Sequence, residues 1–599
     1  MHMKKKLLLL VLTALLMMGC SNNKSNQNNT NTEDNSSFNT DGDPISDVSD
    51  SGTSNDYDSD PFEEEIITTP ETYDGTNVTS ITDAGKYYLS GTLDPVSITA
   101  AKGKVVYLFL DGVTISSNEG IALGNEKQNT TYIVLLNGST NTITNDFEDT
   151  NALHLKGDIH ILGNGTLTIE SRQKNGLKAS KDLYISGENV TLNVTGANHA
   201  IGARSLTAKD ATINVAAKGK DGIQLEVDSD VTEFTKEQGF AKLMNVTFTA
   251  DTKGDGIQAN TYLYISGGTY NIKTEGSFVS YSQTNKEEYD LEDKDFKYVA
   301  SGDSYKRVAT DEIRTLSSKY YALTQSVKGL KVNEIETDSG YIAGDYEVYI
   351  AHGARINIES TDDCVHANYG DVIIEESNLF LNTFDDGVHA DYDTKVNNAH
   401  IEVSKSYEGL EGATVTVDGS SSALVIYAED DGINAASDYA FDNNIYIKNG
   451  YVRVYASGDG LDANTALYLQ GGEVVVEGPG QMNGSLDAEQ IYFQGAIVFA
   501  CSTNGMRERM SATQNTFVYQ GTTKMNANSQ ISIVDSSNKT VYSYTLRQSC
   551  TQLIFSHEDL KLNETYKIMN GSNTIASIKL TSSITSYGSS GGGGHGGRP

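Results

Sequence analysis

Asp385-Asp386-Gly387-Val388-His389-Ala390 is answered by Glu408-Gly409-Leu410-Glu411, by Asp430-Asp431-Gly432-Ile433-Asn434-Ala435 and by Asp459-Gly460-Leu461-Asp462-Ala463. The shared pattern is an acid, a Gly or small residue, an aliphatic, a polar residue and often Ala. It extends back through Cys364-Val365-His366-Ala367, Gly329-Leu330-Lys331, Gly256-Ile257-Gln258-Ala259 and Gly176-Leu177-Lys178-Ala179, and forward to Ser485-Leu486-Asp487-Ala488. Successive copies often lie 22 to 25 residues apart. After each copy comes a run such as Leu183-Tyr184-Ile185-Ser186-Gly187 or Leu467-Tyr468-Leu469-Gln470-Gly471. These runs alternate apolar and polar residues, are rich in β-branched and aromatic side chains, and end at Gly, Asn or Asp, which is how strands read. A short period with strands and no helix predicts an all-β, right-handed parallel β-helix in which each repeat is one coil. The recurring aliphatic then forms an interior ladder. At about 4.8 Å per coil, a dozen coils extend roughly 60 Å.

The rest of the chain is organised around this body. The coil motif accounts for residues 73–498, with an insertion at about 280–322 where one repeat interval is too long. Strand-like runs without the motif continue over 499–585 and read as a small C-terminal β cap over the open end of the helix, whose edge would otherwise invite association. Residues 586–599 form a Gly-rich tail. Residues 21–72 are Asn, Ser, Thr, Asp and Glu; between Ser21 and Gly75 fourteen acids face a single base, Lys24. Such a stretch cannot bury enough apolar surface to offset its ordering entropy, so it reads as a disordered tether. Before it, Lys4, Lys5 and Lys6 precede a short apolar run, Leu7 to Met18, too short to span a bilayer and shaped like a secretion signal. Gly19-Cys20 resembles a bacterial lipobox, with Met17 where Leu is usual. That resemblance implies a leader over 1–20, lipidation at Cys20 and anchoring to the membrane at the cell surface; the body is expected to be a monomer. An oxidising compartment permits a disulfide, with Cys501 and Cys550 as the pair. Cys364 stands where sibling repeats carry Gly and reads as a small buried thiol.

The net charge of −36 argues against a nucleic-acid partner, because phosphate binding needs clustered Lys and Arg. Position shows what the acids are for. In a parallel β-helix, equivalent positions stack one coil apart. Two carboxylates about 5 Å apart repel by roughly 1 kcal/mol at water's dielectric and by several at an effective value of about 20. The tiers Asp362/Asp363, Asp385/Asp386, Glu408/Glu411, Asp430/Asp431 and Asp459/Asp462 therefore call for a counter-ion. Calcium, which accepts six to eight oxygens with tolerant geometry, fits an all-oxygen ladder. His366 and His389 fall at equivalent places and leave a zinc reading open, but the oxygen-rich surroundings favour calcium. The alternative is that the acids merely cap turns.

The run Ser406-Tyr407-Glu408-Gly409-Leu410-Glu411-Gly412, with Asp430-Asp431-Gly432-Ile433-Asn434-Ala435, resembles a bacterial carbohydrate-binding β-helix family. Gly85-Lys86-Tyr87-Tyr88-Leu89-Ser90-Gly91 and Ser326-Val327-Lys328-Gly329-Leu330-Lys331 agree with it, and the likeness covers roughly residues 70 to 580. That family is a calcium-binding domain described as attaching to cellulose and pectin, similar in architecture to family-9 pectate lyases and regarded as binding rather than cleaving. The resemblance implies calcium at Asp362, Asp363, Asp385, Asp386, Glu408, Glu411, Asp430, Asp431 and Asp459; Asp462 joins them from the ladder itself. It implies no catalytic residue and an acidic polysaccharide such as pectin as partner. Two other functions stay open. One is a calcium-dependent lyase with Lys405, Lys448 or Arg453 as base; the other is a calcium-stiffened spacer or adhesin.

Overall fold

The computed structural model describes residues 78–281, 296–302, 304–309, 319–337, 340–437, 442–478, 483–503 and 508–588. The leader with Cys20, the acidic stretch 21–72 and the tail from 589 onward lie outside the described residues. Everything described falls within one unit, Pro61–Pro599, and is β-structure without helix.

A typical coil has three strands, for example Leu177–Ala179, Leu183–Ser186 and Val190–Gly196. The next coil repeats them as Ile201–Ala203, Leu206–Lys209 and Thr212–Ala217, parallel and in register, with Leu177 beside Ile201, Leu183 beside Leu206 and Leu192 beside Ile213. About 16 such coils stack into one solenoid. Its core is the aliphatic ladder expected from the repeat. Leu153, Leu177, Ile201, Ile223, Ile257, Leu330, Val365, Val388, Leu410, Ile433, Leu461 and Leu486 follow one another in a single register and are all buried. A one-residue slip would turn the whole ladder outward, so the alternation itself fixes the register.

The middle strand of each coil carries an outward ladder of its own. Tyr107, Tyr132, His160 and Tyr184 stack ring on ring at 4.7, 4.3 and 4.6 Å, and Tyr446, Tyr468 and Tyr492 do so at 4.6 and 4.8 Å. In-register coils place like residues one strand spacing apart, which is also a stacking distance. This explains much of the high Tyr content. It also closes the inner ring faces, so these tyrosines cannot serve as open platforms for sugars.

The long interval near 280 is a folded excursion. Phe278–Ser280 pairs antiparallel with Tyr320–Leu323, and Phe296–Ser301 forms a hairpin with Ser304–Ala309. Tyr298, Leu323 and Val327 make a small core there, with Phe278, Tyr305, Tyr321 and Phe384 against it.

The coil register runs on past 498. Ile497–Ser502 pairs parallel with Glu473–Glu477, and Arg509–Ala512 with Gln490–Phe493. Beyond that, Cys550–Ser556 pairs antiparallel with both Ile497–Ser502 and Thr516–Met525. Val518 and Ile554 join the solenoid core at its last coils, while Phe499, Phe517, Phe555, Tyr544 and Ile568 belong to a second core under a four-stranded antiparallel sheet. Glu477, fully buried, ties the two together by accepting from the Tyr544 hydroxyl at 2.8 Å and from the amides of Arg547 (2.9 Å) and Gln548 (2.6 Å). Cys501 and Cys550 are brought together in that second core as two buried thiols, with the Cys501 thiol hydrogen-bonded to Cys550 and no bond between the sulfurs.

Candidate functional site

The repeat Gly is enforced by how closely coils approach. A Cβ on Gly409 would lie 2.2 Å from the Gly432 carbonyl oxygen and 2.3 Å from Ile426 Cγ2; one on Gly387 would lie 2.5 Å from the Gly409 oxygen. Cys364 occupies the same place with no exposure, its Sγ 3.6 Å from the Asn382 carbonyl, and burial pushes its thiol well up. It is a packed, inert thiol, as its position in the repeat suggests.

The acid before each Gly has two tasks. One oxygen accepts the backbone N–H of the equivalent residue in the following coil: Asp221 from Asp255 (2.8 Å), Asp255 from Lys328 (2.7 Å), Asp363 from Asp386 (2.9 Å), and Asp386 from Glu408 (3.1 Å). Asp431 accepts from Asp459 and Asp459 from Gly484 in the same way. The turn-capping alternative is thus part of the answer, and it explains why Asp recurs at this position. The second oxygen of each carboxylate is left for other partners.

Those partners divide the ladder. At Asp362 and Asp363 the Lys328 ammonium lies 2.9 and 2.5 Å away, with its side chain 13% exposed. Burial raises both carboxyls, but Lys328 outweighs it and holds them below the usual range, Asp363 well below. Lys331 stands 3.8 Å from Asp255. At the next tier Arg307, from the excursion hairpin, makes an ion contact with Asp385 and lies 3.1 Å from Asp386. Tyr298 donates to Asp385 at 3.2 Å. Below it, His389 Nδ1 is 2.7 Å from Glu411 and 3.4 Å from Asp386. Burial opposes a charge there, yet Glu411, Asp386 and Asp391 hold the imidazole well above its ordinary pKa, so it is a cation. His366 is stacked on it at 4.7 Å; burial and Lys328 keep His366 neutral. The expected ligands Asp362, Asp363 and Asp385 do converge within 4.8 Å, as do Asp386, His389 and Glu411. At both clusters the protein already supplies a positive charge.

The lower tiers differ. Among the described residues, no Lys, Arg or His forms an ion pair with Glu408, Asp430 or Asp431. Glu408 accepts from Asn434 at 2.9 Å, but burial, Glu411, Asp386 and Asp431 push its carboxyl well up. Burial, Asp430 and Asp462 push Asp431 up to about 8. Burial and Asp487 push Glu508 up to about 7, with Asp459 and Asp462 adding to the effect. Asp430, Asp431, Asp459, Asp462, Asp487 and Glu508 are thus one run of mutually repelling carboxyls. An oxygen-only donor set of this kind fits calcium. The cluster of Asp386, His389 and Glu411 offers mixed nitrogen and oxygen, a donor set different from the all-oxygen run below it.

Sequence reasoning missed Arg307, Tyr298 and Glu508, which lie outside the repeat pattern. It passed over Lys328, whose place just before Gly329 is the acid's place in every neighbouring copy. Of the bases considered, Arg453 is engaged under the C-terminal sheet, 5.3 Å from the Tyr544 ring, and Lys448 lies 5.9 Å from Tyr446. Lys405 packs its ammonium 4.0 Å over Phe384, beside Asp385 in sequence, and burial lowers its pKa.

A family model described as "Carbohydrate-binding domain-containing protein" matches residues 74–387 and 378–585. A protein of the same description from Acetivibrio thermocellus is 33% identical over 124 residues, which make up 19% of this chain and 43% of that protein. The chain therefore spans less than half the length of that relative. Among solved structures, the polysaccharide lyase-like protein from C. thermocellum, as its gadolinium derivative, is similar at 26% identity with a TM-score of 0.30, over 34% of this chain and 86% of that one.

Proposed function

This chain belongs to the family of carbohydrate-binding domain-containing proteins, and from that membership we propose that it is a non-catalytic, calcium-dependent binder of acidic polysaccharide of the pectin type, held outside the cell by a lipid on Cys20. The observation that supports calcium is the contrast along one ladder. The tiers from Asp362 to Asp386 carry Lys328 and Arg307, whereas Glu408, Asp430 and Asp431 stack carboxyl on carboxyl. Glu408, Asp430, Asp431, Asp459 and Asp462 are the residues that would hold the ion. Bound there, calcium supplies charge neutralisation and coordination positions that a uronate carboxylate can fill. The chain's own part is to fix the carboxylates one coil apart and to keep their backs hydrogen-bonded to the next coil. Binding of polygalacturonate measured by calorimetry, with calcium and with EDTA, tests the reading. Binding that needs calcium and is lost in D430N/D431N supports it. Equal binding in EDTA refutes calcium dependence, and no binding of any acidic glycan leaves a calcium-stiffened spacer as the better account.

A second reading, a lyase, is favoured by Lys405 alone. Its half-buried amine, depressed by burial, has the character of a general base next to the acid ladder. Release of unsaturated uronate, followed by absorbance and abolished by K405A, would establish it; no release from pectate with calcium present would remove it.

A further inference from the structure

The excursion hairpin departs from the coil stack and returns its one guanidinium to the ladder. Tyr298 and Arg307 are direct cross-strand partners, so both point from the same face of the hairpin. Arg307 is buried to 8% side-chain exposure between Asp385 and Asp386 on one side and the Tyr407 ring, 4.4 Å away, on the next coil. Tyr298 binds the other oxygen of Asp385. Lys328 differs, because it is part of a coil and its own amide is bonded to Asp255. The hairpin is held by these polar contacts and by the small core of Tyr298, Leu323 and Val327. Few buried apolar contacts make a unit that opens locally at low cost.

We propose that hairpin 296–309 is an intramolecular counter-ion arm: Arg307 takes, at Asp385 and Asp386, the place beside paired carboxylates that a divalent cation would otherwise take, so that hairpin docking and cation binding at this tier exclude one another. The physical basis is linkage. A cation that binds only the undocked form draws the equilibrium toward it, and the arm raises the cation concentration needed. The arm thus sets which tiers of the ladder respond to calcium and which are already closed. The proposal needs neither a glycan nor calcium at the lower tiers, so it can stand or fall separately from the binding function.

The test uses the full chain with its leader processed, and two readouts. Terbium luminescence and calcium calorimetry follow ion uptake against cation concentration; hydrogen exchange follows the amides of 296–309. R307A is expected to take up an ion at this tier at a several-fold lower calcium concentration than wild type, while R307K keeps the wild-type midpoint. In wild type, millimolar calcium is expected to speed exchange across 296–309, and D385N to speed it with or without calcium. If R307A binds calcium with the wild-type midpoint, or if calcium leaves exchange across 296–309 unchanged, the arm is not a counter-ion that competes with a cation. Should R307A fail to fold, the wild-type exchange response decides the matter alone.

Discussion

Replacing Lys328 by Met keeps most of the side-chain volume and removes one charge from between two carboxylates. The ammonium is 2.9 Å from Asp362 and 2.5 Å from Asp363 and only 13% exposed. At an effective dielectric of about 20, each contact is worth roughly 6 kcal/mol of attraction, most of it offset by desolvation. Stripping one partner from a buried pair typically costs about 3–5 kcal/mol, because the other charge stays buried and uncompensated. Here the residue left behind is two carboxylates, so the upper part of that range applies. A stacked-coil protein loses stability locally, since each coil contacts only its neighbours, and a single melting temperature would dilute the effect. Hydrogen exchange at Leu330–Val332 and Val365–Ala367, the strands flanking Lys328 and Asp363, is the appropriate assay. A loss of about 4–5 kcal/mol corresponds to exchange roughly 10³- to 10⁴-fold faster there, with little change in coils near Leu177. Calcium should recover part of it by standing in for the ammonium. If K328M exchanged like wild type at these amides, two adjacent buried carboxylates would be tolerated without the Lys328 charge, and the electrostatic argument for the whole ladder would fail.

Four further outcomes are expected. Glu408, Asp431 and Glu508 bind their protons more tightly folded than unfolded, so their contribution is complete below the unfolded carboxyl range near pH 4 and is lost as pH rises through the folded values, about 7 for Glu508 and about 8 for Asp431. In EDTA the Tm should therefore fall from roughly pH 5 to pH 8 and calcium should flatten the fall; a Tm that rises across that window contradicts the assignment. Glu477→Ala strips the acceptor from Tyr544, Arg547 and Gln548, at about 3 kcal/mol or more. Limited proteolysis should then cut within the C-terminal sheet while the coils survive, and an unchanged digestion pattern would show that Glu477 does not latch it. Gly409→Ala forces a Cβ to 2.2 Å from the Gly432 oxygen and should cost about 1–3 kcal/mol or more in urea unfolding; a neutral effect would mean the coils can spread. Protein recovered from an oxidising compartment should carry a Cys501–Cys550 bond by peptide mass mapping, and two freely alkylated thiols after unfolding would exclude it.

The fold was legible because its signal is collective. Most strands that carry this ladder are three residues long, as at Leu410–Gly412 and Ile433–Ala435, but the aliphatic at Leu410 recurs at Ile433 and Leu461, and twelve such residues in one register describe a core. The tyrosines carry no such signal in the sequence. Their stacking lies between coils, and only the register shows that Tyr446 meets Tyr468. In the site, the carboxylates were legible and their partners were not, for two different reasons. Lys328 obeys the repeat and occupies the acid's place, so the alignment that revealed the acids also contained their counter-charge. Arg307 comes 79 residues ahead of Asp386 in an insertion with no repeat to compare, and no spacing could have placed it there.

The outward positions beside the aliphatic ladder join these observations. They run through Lys178, Gly202, Gln224, Gln258, Lys331, His366, His389, Glu411, Asn434, Asp462 and Asp487. Their sign changes from basic to acidic along one line of side chains, with His389 at the turning point. An anionic polymer attracted by charge alone would settle at the Lys178–Lys331 end and avoid the Glu411–Asp487 end. Added salt would weaken the first contact, and only a divalent ion could create the second. The two ends therefore predict opposite responses to calcium and to salt. If protection from exchange by polygalacturonate appears near Lys178 and Lys331, fades with salt and ignores chelator, the acid ladder serves stability alone. If it appears near Asp431 and Asp462 only when calcium is present, the ladder is the binding surface, and the neutralised tiers above it mark its boundary.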